Sequence, residues 1–172
     1  MAPMTDEQRR IRGYLQAQGA KLSPEQVIEK VRAAMEEVRT ALFAVPEGRL
    51  AVRPAIDEWS ANEVMAHVVR AGAHFGGSIM QILDGGEAHP AIADRIEAGV
   101  PSRSSSEWQD LLVSDRTALF DRVLSADPSA HLDRGIEHRM FGSLTWREAL
   151  LFLRLHDLDH AGQLQKIAES WR

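Results

Sequence analysis

The sequence predicts an all-α protein, a single four-helix bundle, from three observations. Apolar residues recur at three- and four-residue spacing in four segments. Three of these segments open on residues that cap helices. No stretch alternates apolar and polar residues for a useful strand length, and neither an internal repeat nor a glycine-rich phosphate loop occurs. The length of 172 residues fits one domain, 1–172. A chain of this size encloses a real core, burying about 70% of the surface it exposes when unfolded.

The first helix is predicted over 23–44. Ser23 caps it, Pro24 takes the first helical position, and Glu25 favours the positive end of the helix dipole. Its inward stripe is Val27, Val31, Ala34, Met35, Val38 and Leu42. A shorter helix is expected before it, from residue 5 to about 17 and ended by Gly19, within an N-terminal extension of residues 1–20. The second helix starts at Ser60, which forms a capping box with Glu63; Trp59 is placed to staple it by packing on Val64. The stripe runs Val64, His67, Val68, Ala71, Phe75, Ser78, Ile79 and Ile82, and Asp84-Gly85-Gly86 ends it.

The third helix is predicted over 106–126, with Trp108, Leu111, Leu112, Leu119 and Val123 inward. The fourth opens at Thr145, in a second capping box with Glu148, and carries Leu153, His156, His160, Gln163, Leu164 and Ile167 along one side. The segment between the second and third helices, 84–105, is long and holds Pro90, Pro101 and a Ser-Arg-Ser-Ser-Ser tract. Extended, it exceeds the ~30 Å of a 20-residue helix, so it can cross the bundle and leave those two helices parallel.

Composition narrows function. The net charge is −5 with both signs interspersed, whereas phosphate binding needs a clustered basic surface, so nucleic acid is not an expected partner. The chain has no cysteine, which excludes disulfides, thiolate zinc sites and a cysteine nucleophile. The first ten residues are polar, and no apolar run approaches the ~20 residues of a membrane span, so a cytoplasmic location is expected.

Chemistry concentrates in the seven histidines. His156 and His160 stand four apart, one helical turn, so their rings point the same way and can converge on one ion. They lie in the apolar stripe of their helix, as His67 does in the second helix. A buried imidazole needs a partner, because an unsatisfied polar group costs a few kcal/mol. A shared metal would satisfy all three; hydrogen bonds to nearby oxygens would serve each one separately. The zincin motif is absent, and no Glu precedes a His by three residues as di-iron bundles require. Glu63 is read as the capping residue or as a partner orienting His67. Gln163 is read as a neighbour of the site or a rim residue, and Asp157 and Asp159 as solvent-facing.

The stretch Trp59-Ser60 followed by Glu63 and His67 resembles the start of the second helix in DinB-like proteins. Thr145 and Glu148 through Leu150, His156 and His160 to Gly162-Gln163-Leu164 resembles their last helix. The resemblance implies an up-down-down-up four-helix bundle with the long crossover between helices two and three. It also implies a three-histidine divalent-metal site, which carries over onto His67, His156 and His160. Zinc and nickel both suit imidazole ligands.

That superfamily includes transferases and isomerases that use a low-molecular-weight thiol such as bacillithiol, mycothiol or glutathione. The implied function is a metal-dependent enzyme acting on a small molecule, with a thiol co-substrate or water as nucleophile. The alternatives are a non-catalytic metal- or ligand-binding bundle and a structural protein acting as a homodimer. Arg95, Arg103 and Arg116 are weighed as anion-binding groups against ordinary surface charge. His74, two turns after His67, is too far along the helix to share its ion. It is read as a packing residue among Gly72, Ala73, Gly76 and Gly77, at a helix or subunit contact, with a pocket-lining acid or base as the alternative.

Overall fold

The computed structural model describes residues 4–91 and 99–172. Among the described residues five α-helices occur, in the order α1 (Asp6–Lys21), α2 (Pro24–Phe43), α3 (Ala61–Leu83), α4 (Ser105–Leu124) and α5 (Trp146–Glu169), with a 3-10 turn at Glu47–Arg49 and a short hairpin of β1 (Ile136–His138) and β2 (Gly142–Leu144) before α5. The four predicted helices are α2 to α5. Each of the five helices opens on a reciprocal capping box: Thr5 with Gln8, Ser23 with Gln26, Ser60 with Glu63, Ser104 with Glu107, and Thr145 with Glu148. Each cap is worth about 1 kcal/mol, so the helix starts are encoded locally.

Named contacts fix the helix directions. Trp108 Nε1 donates to Asn62 Oδ1 at one end of the α3–α4 seam, and Arg122 pairs with Asp84 at the other. Residue numbers rise together on the two helices, so α3 and α4 run parallel. Phe75 meets Phe152 while His67 meets His156, so α5 runs antiparallel to α3. Arg32 lies over Phe120 and Glu47 accepts from the Ser105 N–H, so α2 runs antiparallel to α4. These directions give the up-down-down-up order. Residues 92–98 of the crossover, Arg95 among them, lie outside the described residues.

The core lies between the four long helices, with Leu42, Met65, Ile79, Leu112, Leu119 and Trp146 fully enclosed. The predicted stripes of α2 and α3 are buried as expected, apart from half-buried His67. On α4 the inward register is Trp108, Leu112, Arg116, Leu119, Phe120 and Val123. Leu111, predicted inward, is 38% exposed because Arg116 rather than a 111-based register points at the core.

The N-terminal extension differs from expectation. Gly19 does not end its helix; α1 continues to Lys21, and Gly19 is buried where a Cβ would sit 3.1 Å from Glu148 Cγ. Arg12 donates to Glu148 at 2.9 Å and to the Ser143 carbonyl at 2.7 Å, pinning α1 along α5. The hairpin was not expected from the sequence, since its strands hold only three residues each. Ile136 and Leu144 pair across it and are fully buried, which anchors it to the bundle. Among the described residues no helix is long and apolar enough to cross a membrane.

Candidate metal centre

The antiparallel packing of α3 and α5 sets His67, in the second turn of α3, opposite His156 and His160 on α5. Their ring centroids are 5.1 Å (His67–His156), 4.7 Å (His67–His160) and 4.5 Å (His156–His160) apart. One ligand nitrogen from each lies within 4.8 Å of the other two. The Nε2 atoms of His67 and His156 are 3.1 Å apart. An ion bound tetrahedrally at 2.0–2.1 Å holds its ligand atoms about 3.3 Å apart, so this donor set fits a divalent cation.

The surroundings orient the rings. Gln163 Oε1 lies 3.0 Å from His160 Nδ1, and an amide oxygen there favours the tautomer with the proton on Nδ1 and the lone pair on Nε2. Burial, then the neighbouring His156, lowers the pKa of His160 against the opposing pull of Gln163, Asp159 and Asp157. The ring is therefore neutral at neutral pH, the state a ligand needs.

His156 Nδ1 is enclosed without a hydrogen bond, 3.6 Å from Asp157 Oδ1. Asp157 does not face solvent as expected. It is fully buried, and Arg116 NH2 donates to both its oxygens at 2.9 and 3.0 Å. Asp159 is exposed, as expected. Arg116, weighed as an anion binder or a surface charge, is neither: it is fully buried. Arg103 lies over the Trp108 ring, outside the pocket wall. Glu63 serves the cap, accepting from the Ser60 N–H at 2.8 Å, and pairs with Arg53, which holds its carboxyl below the usual range.

The three histidines open on a pocket of about 460 Å³. On one side is Trp59, its ring 5.5 Å from that of His67 and stacked 6.4 Å from that of His160. On the other, Phe75, His138, Phe141 and Phe152 form one cluster of touching rings, which reaches His156 through Phe152 at 5.8 Å. The hairpin supplies His138 and Phe141, so a part of the fold that periodicity did not predict makes one wall of the pocket. His138 Nδ1 accepts from the Met140 N–H at 3.1 Å, which fixes the ring within the turn.

His74 also lines the pocket, apart from the three-histidine cluster, and is half-buried. The glycines beside it serve contacts inside the chain. A Cβ at Gly72 would meet Arg116 at 2.6 Å, one at Gly76 would meet Leu119 at 3.4 Å, and one at Gly77 would meet His89 at 2.9 Å. His89 is exposed, with its ring 6.0 Å from that of His74, and His131 sits in a turn at φ 53°.

A family model described as the DinB superfamily matches residues 28–164. The chain belongs to the DinB superfamily. Two solved structures share the superfamily chain's fold. TT2238, a four-helix bundle protein, is 18% identical with a TM-score of 0.64, over 84% of this chain and 99% of that one. YfiT from Bacillus subtilis, described as a probable metal-dependent hydrolase with an unusual four-helix bundle topology, is 12% identical with a TM-score of 0.68, over 85% of this chain and 86% of that one. No curated protein matches the chain by sequence.

Proposed function

We propose that this DinB superfamily member is a metal-dependent enzyme in which His67, His156 and His160 hold a divalent cation, zinc or nickel, in the wall of the pocket. One observation carries the proposal: three imidazole nitrogens lie within 4.8 Å of one another, beside a 460 Å³ pocket. Three protein ligands leave coordination free for a reacting molecule, the pattern of a catalytic rather than a structural site. When bound, the cation would polarise a substrate and lower the pKa of a nucleophile beside it. The chain's own groups prepare the site. Gln163 fixes the His160 tautomer, burial keeps that ring neutral, and the apolar walls limit competing water. The likeness to YfiT in fold, and the description of that protein as a probable metal-dependent hydrolase, agree with this reading.

The nucleophile is proposed to be a low-molecular-weight thiol or water. With no cysteine in the chain, a thiol would enter as a co-substrate. The test has two steps. Elemental analysis is expected to find about one divalent ion per wild-type chain and none in the folded His156→Ala, His160→Ala double variant; equal metal in both overturns the assignment. Activity is then compared with glutathione, mycothiol, bacillithiol or no thiol against a panel of small electrophiles and esters. Turnover that needs both metal and a thiol marks a transferase, turnover with metal alone marks a hydrolase, and none favours a binding protein.

A further inference from the structure

The pocket walls identify a class of occupant. Phe75, His138 and Phe141 stack in that order with centroids 5.6 and 4.6 Å apart, and Phe152 stands edge-on to all three, so one wall of the pocket is aromatic. Phe152 touches the His156 ring at 5.8 Å, so the aromatic wall adjoins the three histidines and one small molecule can reach both. Among the described residues, the charged groups lining the pocket are Glu137, Arg139 and Asp159, and all three are exposed. Arg116, close by, is spent on Asp157 behind the site. A strongly charged body would meet counter-charges only at those exposed groups and would lose its hydration against the aromatic wall itself. A flat ring system would instead meet the offset and edge-to-face contacts that aromatic surfaces favour. The volume suits a small molecule rather than a peptide or a polymer.

We propose that the pocket takes a small molecule with a flat aromatic body and a reactive end that a metal can ligate, the body packing against Phe75, His138, Phe141 and Phe152 and the end meeting His67, His156 and His160. Only the orientation of the reactive end rests on the metal reading above. The aromatic body rests on the walls alone.

The test uses the full chain in two arms. In the first, chelator-treated protein is titrated with 2-naphthol and with decahydro-2-naphthol, a saturated and non-planar analogue of similar size. Binding is read from tryptophan fluorescence and from amide shifts around the pocket. The planar compound is expected to bind roughly threefold to tenfold more tightly. The aliphatic variants Phe152→Leu and Phe141→Leu, which remove the ring but keep an apolar side chain, should each reduce that preference while keeping a folded spectrum. Equal or reversed affinities in the wild type overturn the aromatic body.

In the second arm, zinc-loaded protein is titrated with 2-naphthohydroxamate and acetohydroxamate. Zinc should strengthen binding of both, and the naphthyl compound should bind more tightly than acetohydroxamate. A zinc gain for acetohydroxamate alone overturns the orientation. No zinc gain for either compound defeats the metal reading and with it the orientation, leaving the first arm to judge the aromatic body.

Discussion

Arg116 and Asp157 form an ion pair with both side chains fully enclosed, joined through one guanidinium nitrogen, behind the ring of His156. The pair is a poor device for stability. Arg116 Nε and NH1 are buried without hydrogen bonds, and desolvating two charges commonly cancels their attraction. Its placement suggests another use, holding a carboxylate beside His156 Nδ1 so that Nε2 faces the other two histidines. Asp157→Asn is expected to weaken zinc binding by roughly 10–100-fold. Arg116→Leu alone should cost about 3–5 kcal/mol in urea unfolding, because it strands a buried carboxylate. The Arg116→Leu, Asp157→Leu double variant should regain most of that stability yet still bind zinc weakly. Wild-type affinity in the double variant would show that the pair does not position His156.

Gly72 makes room for this pair. A methyl group there would stand 2.6 Å from Arg116 NH1 and 3.2 Å from its Cζ, on a side chain with no free space. Gly72→Ala is expected to destabilise the protein by about 1–3 kcal/mol through overpacking, and to weaken zinc binding as Asp157 shifts. Gly76→Ala, one turn along, is the control. Its methyl would meet Leu119 at 3.4 Å, an ordinary contact, and alanine is the better helix former by roughly 1 kcal/mol. That variant should be neutral or more stable. Thermal unfolding of the two side by side separates a local clash from a general intolerance of side chains on this face.

The helices were legible because their signals are local: a capping residue, a Glu or Gln three places on, and a stripe of period 3.6. The three histidines were legible for the same reason, as polar residues placed in apolar stripes. Arg116 and Asp157 carried that signal too. Arg116 is four residues after Leu112, and Asp157 is four after Leu153, so both occupy core register. Their charge suggested solvent, and only tertiary pairing reveals opposite charges meeting at one depth. The hairpin was not legible, because three-residue strands are too short to show alternation and Ile136 and Leu144 depend on the bundle for burial. The role of Gly19 is not legible either, because a glycine required by close packing looks, in sequence, like one that stops a helix.

Gln163 offers a direct check on ring orientation. Its carbonyl holds the proton of His160 on Nδ1, so an isosteric apolar side chain should leave that ring free to change tautomer and to rotate. Gln163→Met is expected to weaken zinc binding by roughly tenfold or more with little change in Tm, since the residue is only half-buried. Nitrogen-15 spectra of the metal-free protein provide an independent reading. The wild type should show His160 protonated at Nδ1, and the variant a mixture. A single Nδ1–H tautomer in both would mean that something other than Gln163 sets it.

His74 separates lining the pocket from holding the metal. It stands two turns from His67 on α3, too far to share an ion, so His74→Asn should keep wild-type zinc stoichiometry. Its pKa is lowered, by burial first and then by the charges of His89 and Arg70, which face it. The sign follows. As pH falls through the unfolded value of about 6.5, the unfolded chain takes up a proton that folded His74 resists, so stability is intact above that pH and is lost below it. His160, also lowered, acts in the same direction. Urea unfolding of chelator-treated protein at about pH 7.5 and about pH 5.5, on either side of that value, should therefore show a fall in stability for the wild type. The fall should be smaller in His74→Asn, with the His160 part remaining. An unchanged fall would remove His74 from the pH response. Loss of zinc from the folded variant would place the α3 ligand at His74 instead of His67.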